Sequence, residues 1–160
     1  MILFAKSENI LLFDGEVYYI KDFLPAESLL DYFDKLYNEI CWKNDEVLLF
    51  GKRITTSRKT AWYGDPGLTY TYSKVSRIAL PWTNTLSDLR NNIEDTIGRT
   101  FNACLLNLYH NGLEGVGWHS DDEKELGREP VIASLSLGAE RKFVFKHKRR
   151  YFYGWTWLHT

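Results

Sequence analysis

Cysteine is scarce in this sequence: Cys41 and Cys104 are the only two in 160 residues. Two thiols cannot build the disulfide framework that staples small secreted domains, and they fit a reducing compartment. A charge of one sign is missing too. Twenty Lys and Arg stand against 21 Asp and Glu, a formal charge of −1. No global field therefore draws the chain to a polyanion, and any nucleic-acid contact has to come from local patches. Long apolar runs are absent. Met1–Ala5 and Ile10–Phe13 are broken by Lys6, Glu8 and Asn9, which leaves no signal-peptide core, and no stretch approaches the length of a membrane span. The expected compartment is the cytoplasm. No repeat, low-complexity segment or linker interrupts the chain, so a single domain over residues 1–160 is expected.

Aromatic residues, by contrast, make up 16% of the chain, with six Trp and ten Tyr. They suit the pleated, half-buried surface of sheets, and they offer flat faces on which bases stack. Ordinary core filling accounts for most of them.

Apolar residues at helical spacing (Leu29, Leu30, Phe33, Leu36, Tyr37, Ile40) predict a helix over about Ala26–Ile40, with Pro25 at its start. Leu86, Leu89, Ile93 and Ile97 predict a second helix, with Thr85 as N-cap and Gly98 as terminator. Strands are expected at Val47–Phe50, Thr69–Tyr72, Phe101–Tyr109, Val131–Leu137 and Arg141–His147, separated by turns such as Gly64-Asp65-Pro66-Gly67 and Asn111-Gly112. Early helices followed by a run of strands read as α+β, with a mostly antiparallel sheet or jelly roll.

The chemistry concentrates between Asn107 and Glu123. Asn107 and Tyr109 are two apart, so on a strand they point to one side. His119 and Asp121 repeat that spacing a few residues on. An imidazole and a carboxylate projecting in parallel supply two of the three ligands of the facial triad that holds non-haem iron(II) and leaves positions open for O2. A bare His-x-Asp is common by chance, and most such pairs are surface polar residues. Here it follows a strand ending in Asn and Tyr, lies past Gly-rich turns, and precedes the small-residue run Ala133–Gly138.

Tyr63-Gly64-Asp65-Pro66-Gly67-Leu68-Thr69-Tyr70-Thr71-Tyr72-Ser73 resembles the substrate-lid signature of AlkB-type iron(II)/2-oxoglutarate-dependent dioxygenases, in particular the homologues that repair double-stranded DNA. Asn107–Gly112, Trp118–Glu123 and Pro130–Lys148 resemble the matching catalytic half, so the likeness runs from about Val47 to Lys148. It implies a double-stranded β-helix, or jelly roll, with flanking N-terminal helices, in which residues 45–73 form a nucleotide-recognition lid and hairpin and 100–148 a partial catalytic jelly roll. It further implies that His119 and Asp121 bind Fe(II), and that Asn107 and Tyr109 hydrogen-bond the co-substrate 2-oxoglutarate. Tyr70, Tyr72 and Ser73 would line the pocket for a flipped base, with Asp122 and Glu123 near its polar edge. A base taken out of the stack needs aromatic faces and edge-reading polar groups; the bland alternative for the two tyrosines is cross-strand packing.

Leu49-Phe50-Gly51-Lys52 resembles the hairpin with which these enzymes probe a duplex. Phe50 would wedge into the gap left by the extruded base. Lys52, Arg53, Arg58 and Lys59 cluster beside it and would reach flanking phosphates, although a solvated hairpin with ordinary surface charges explains Arg53 as well. The run Lys146–Arg150 reads first as a solvated face.

The family also needs a later histidine as third ligand, and a late arginine for the distal carboxylate of 2-oxoglutarate. His159 is the only histidine after His147 and no arginine follows it, so the jelly roll is expected to be incomplete at its C-terminal end. The activity implied is oxidative demethylation of N-alkylated bases in DNA, duplex favoured, or in RNA. O2 is consumed, succinate and CO2 are released, and the hydroxylated alkyl group leaves as an aldehyde. The alternatives are a truncated, non-catalytic remnant that still binds nucleic acid, and a hydroxylase acting on protein, against which the lid and wedge motifs count.

Overall fold

A computed structural model describes residues 8–49, 51–72, 75–121, 126–149 and 153–158 of the chain. They contain two helices, α1 (Ala26–Glu39) and α2 (Asn84–Ile97). The eight strands are β1 (Lys43–Leu49), β2 (Lys52–Gly64), β3 (Thr69–Tyr72), β4 (Val75–Ile78), β5 (Leu80–Pro81), β6 (Ala103–Leu108), β7 (Arg141–Lys146) and β8 (Tyr153–Leu158). The architecture is α+β. Contacts divide the chain into two compact units, one of Lys35–Ala133 and the other of Met1–Asp34 with Ser134–Thr160.

In the Lys35–Ala133 unit, the 13-residue β2 is the organising strand. It pairs antiparallel with β1 and β6 and briefly, in parallel, with β5. β2 was not anticipated from the sequence. Its first half is polar and exposed and its second half is buried, so no period-two alternation marks it. The β1–β2 hairpin turns between Leu49 and Lys52, with Gly51 at φ 76°, a backbone that an L side chain rarely adopts. The pairing register shifts between Asn44 and Glu46. At this irregularity Asp45 is buried and ion-paired with Arg58, while the Asn44 amide donates to the Thr56 carbonyl at 3.1 Å.

The core lies on one face of β2 and β6. Ala61 and Tyr63 are buried with Ile40 and Leu86, and Leu36, Trp42, Leu80, Trp82 and Leu106 pack around them. The Tyr63 hydroxyl accepts a hydrogen bond from the Cys41 backbone N–H at 3.1 Å, which satisfies a donor just past the end of α1. Helix α2 buries Leu86 and Leu89 and ends at Gly98, whose N–H bonds the Glu94 carbonyl at 2.8 Å. Its N-cap is Thr83, not the expected Thr85. Thr83 has an extended backbone and its side chain accepts from Leu86 N–H at 3.1 Å. Thr85 sits inside the first turn, where its hydroxyl donates to Glu39 at 2.9 Å. Two threonines flank Asn84, and only the one with non-helical dihedrals can cap.

β3 and β4 pair only with each other among the described residues. The expected strand Val131–Leu137 joins no ladder among the described residues: a strand is defined by its partner, which β propensity alone does not supply.

In the other unit, β7 and β8 form an antiparallel hairpin with Arg141 opposite Leu158 and Lys146 opposite Tyr153. The Asn9 side chain organises the loop near the N-terminus, accepting from Leu11 N–H (3.1 Å) and Val17 N–H (2.8 Å) and donating to the Gly15 carbonyl (3.1 Å). His147 Nε2 lies 2.9 Å from Asp14 Oδ2. No helix among the described residues is long and apolar enough to cross a membrane.

Candidate active site

Register fixes what β6 presents. Leu106 packs on the core and stands opposite Ala61, so Leu105 and Asn107 belong to the other face, opposite Trp62 and Thr60. Leu105 and Asn107 are exposed there. Asn107 is thus held by its strand on the sheet face away from the hydrophobic core. Tyr109, half-buried, follows directly after the strand's last residue.

The chain then enters a self-tied loop. The Asn111 side chain accepts from Leu113 N–H at 2.8 Å, and the Glu114 carboxylate accepts from His110 N–H at 2.9 Å and meets His110 Nδ1 at 3.1 Å.

His119 and Asp121 converge. His119 Nε2 lies 3.5 Å from Asp121 Oδ1, and the two side chains are 60% and 47% exposed. His119 Nδ1 lies 2.8 Å from the Gly117 carbonyl oxygen. A carbonyl only accepts, so Nδ1 carries the hydrogen and donates it. Nε2 is then the nitrogen that faces the Asp121 carboxylate. Metal-binding imidazoles are commonly oriented in this way, through the nitrogen that does not ligate. Nitrogen and oxygen donors each ~2.1 Å from one ion and at right angles sit about 3 Å apart, close to the separation seen. An imidazole and a carboxylate, both accessible, fit a divalent first-row metal. Among the described residues no cluster of three or more His, Cys, Asp and Glu surrounds a common point.

The other anticipated site residues are distributed as follows. Gly51 and Lys52 form the tip and first paired position of the β1–β2 hairpin, and Lys52 is exposed. Tyr70 and Tyr72 occupy alternate positions of β3, opposite Arg77 and Val75. Phe50, Ser73, Asp122, Glu123 and His159 lie outside the described residues.

Arg58 departs from its expected place beside phosphates. Its side chain is 12% exposed and its guanidinium is engaged by Asp45, itself 10% exposed; a charge so placed braces the hairpin instead of reaching out. Arg53 is exposed and 3.7 Å from Glu46, a surface pair of small energetic weight. Sequence reading missed Asp45 and Gly117. A carboxylate 13 positions before an arginine has no spacing signature until a hairpin folds them together, but a glycine two residues before the histidine is a signal that turn chemistry could have used.

A family model described as the 2OG-Fe(II) oxygenase superfamily matches residues 16–151. The Homo sapiens "Alpha-ketoglutarate-dependent dioxygenase alkB homolog 3" is 44% identical over 141 residues, 88% of this chain and 46% of that protein. The Homo sapiens "DNA oxidative demethylase ALKBH2" is 46% identical over 102 residues, 64% of this chain and 39% of that protein. Its Arabidopsis thaliana counterpart is 36% identical over 139 residues, 84% of this chain and 44% of that protein. The chain spans less than half the length of these relatives.

Proposed function

This chain belongs to the 2OG-Fe(II) oxygenase superfamily, and we propose that it is an oxidative demethylase of N-alkylated bases in nucleic acid, with duplex DNA the favoured substrate. The observation that carries this reading is the convergence of His119 Nε2 and Asp121 Oδ1 at 3.5 Å, with the imidazole's other nitrogen held by Gly117. We read the sheets as parts of a double-stranded β-helix.

His119 and Asp121 would hold Fe(II), and Asn107 and Tyr109 would hydrogen-bond 2-oxoglutarate. The bound iron and 2-oxoglutarate together supply the O2-dependent oxidation of the N-alkyl group. Everything else is positioning by the protein's own groups. The Gly117 carbonyl keeps the His119 ring in one tautomer and one orientation. β6, locked to β2, fixes the Asn107 amide on the face away from the core. The β1–β2 hairpin carries Gly51 and Lys52 at its tip, with Phe50 between Leu49 and Gly51 as the wedge for a duplex, and the Asp45–Arg58 pair braces its root. Lys52 contributes phosphate attraction. Tyr70, Tyr72 and Ser73, with Asp122 and Glu123, belong to the pocket for the extruded base. The relatives' names, "DNA oxidative demethylase" among them, support this reading.

The test supplies Fe(II), 2-oxoglutarate and an oligonucleotide bearing 1-methyladenine or 3-methylcytosine, and follows the substrate by mass spectrometry. The expected result is loss of the methyl group, abolished in His119→Ala. No turnover, with salt-sensitive binding of the oligonucleotide retained, would favour a non-catalytic nucleic-acid-binding protein instead.

A further inference from the structure

The hairpin β3–β4 is attached to the rest of its unit in an unusual way. It shares no ladder with β1, β2, β5 or β6 among the described residues, and a two-stranded hairpin has little stability of its own in water. Among the described residues, the hydrogen bonds that orient it are at its stem, where the chain leaves β2 after Gly64 and returns through Ala79 and β5.

Three residues meet at that stem. Asp65, the first residue after β2, donates its backbone N–H to the Asn102 carbonyl at 2.9 Å, and its own carbonyl accepts from Leu68 N–H at 3.2 Å. The Leu68 carbonyl in turn accepts from Ala79 N–H at 2.9 Å, closing the stem. Gly64 is packed so tightly here that a Cβ would lie 2.9 Å from the Asn102 oxygen. The Asp65 carboxylate then reaches across. One oxygen, Oδ1, accepts from the Trp82 indole N–H at 2.9 Å and from Arg90 Nη1 at 3.2 Å. Trp82 is on the chain returning from the hairpin, and Arg90 is on α2. The Arg90 guanidinium also lies over the Trp82 ring, 4.6 Å from its centroid, and its Nε is 4.0 Å from Glu94. Glu94 accepts from Phe101 N–H at 2.6 Å, tying the far end of α2 to the entry of β6. The outgoing arm, the returning arm and the helix are thus joined through one carboxylate and one guanidinium.

We infer that Asp65, Trp82 and Arg90 form a clamp that fixes the β3–β4 hairpin on α2, and that Arg90 is a positioning residue for substrate recognition. The stem bonds close the hairpin upon itself, and the Asp65–Arg90 contact and the stacking on Trp82 join both arms to a helix anchored in the core through Leu86 and Leu89. Loosening that junction changes how the positions of Tyr70 and Tyr72 are presented while the β2–β6 ladder stays paired. The second half of the inference rests on the demethylase reading above; the clamp itself does not.

The test uses the full chain with Arg90→Met, Arg90→Lys and Asp65→Asn. Hydrogen–deuterium exchange of β3 and β4 should quicken by about tenfold in Arg90→Met while the β2–β6 ladder keeps its wild-type protection. Arg90→Lys, which retains the charge, should lie between the two. Affinity for a 1-methyladenine oligonucleotide, read by fluorescence anisotropy, should fall about tenfold in Arg90→Met, with kcat at saturating substrate within about twofold of wild type. Wild-type exchange in β3–β4 would overturn the clamp, as would equal quickening in β2–β6, which marks general destabilisation. Loosened exchange with unchanged affinity would overturn the role in recognition. A wild-type protein that neither binds nor demethylates the oligonucleotide sinks the demethylase reading, and exchange then decides the clamp alone.

Discussion

At the scale of single residues, the distinction that matters is between charges offered to a ligand and charges consumed by the fold. Arg58 and Lys52 look alike in the sequence, six positions apart in one basic stretch. Folding separates them: Arg58 is engaged by the buried Asp45, and Lys52 is exposed at the hairpin tip. Removing one partner of a buried pair leaves the other charge uncompensated, so Arg58→Met should lower folding stability by about 3 kcal/mol, seen as an earlier denaturant midpoint. Lys52→Ala should leave the midpoint in place and reduce the slope of log affinity for an oligonucleotide against log salt by about one. The opposite assignment of the two effects would put Arg58 back on the phosphates. The same contrast bears on the candidate metal ligands. His-x-Asp was legible as a pair from its spacing, and the two side chains approach to 3.5 Å although residues 119–121 form no strand. That the Gly117 carbonyl holds the His119 ring was not read, although the glycine two residues before the histidine offered a turn signal.

At the scale of elements, β6 shows how one strand serves two purposes. Its alternate residues Cys104 and Leu106 stand opposite Tyr63 and Ala61 on the core side, while Leu105 and Asn107 lie on the other. Burial pushes the Cys104 thiol from 9.0 up to about 11. A raised thiol pKa means that both folded and unfolded chains are protonated below about pH 9, and the group is then indifferent to pH. Above that value the unfolded chain gives up its proton first, so this group's contribution to stability declines as pH climbs from about 9 to about 11. A thiol reagent at pH 8 should label the exposed Cys41 in the folded protein much faster than Cys104, whose labelling should quicken on denaturation; equally rapid labelling of both would contradict the shielding of the Cys104 thiol. The two helices were legible because their apolar residues repeat at helical spacing, β6 because it is a largely apolar run, and β7 because Phe143, Val144 and Phe145 are strand-forming residues. β2 was not, since half of it is a polar hairpin arm whose status depends on what pairs with it. The same reasoning explains Val131–Leu137, which has strand-forming residues without a described partner.

At the scale of the molecule, the sequence motifs pointed to the family more firmly than any element boundary did. Several ordered segments between Val47 and Lys148 matched together, and the family match over residues 16–151 encloses them. Composition alone was mute on this point, because a charge of −1 and ordinary hydrophobicity describe countless domains. Of the candidate site, the approach of His119 to Asp121 was legible, because chemistry demands particular side chains at fixed spacing. The site was illegible where it depends on long-range closure, as in the Asp65–Arg90 junction, whose members are 25 positions apart. The central claim is that His119 and Asp121 hold ferrous iron. The most direct test is anaerobic titration of the chain with Fe(II) in the presence of 2-oxoglutarate, followed by calorimetry and by the visible charge-transfer absorption of the iron–oxoglutarate chelate. One equivalent should bind and produce the band, and both signals should vanish in His119→Ala and in Asp121→Ala. Undiminished iron binding in the double variant would show that the metal, and with it the proposed chemistry, lies elsewhere.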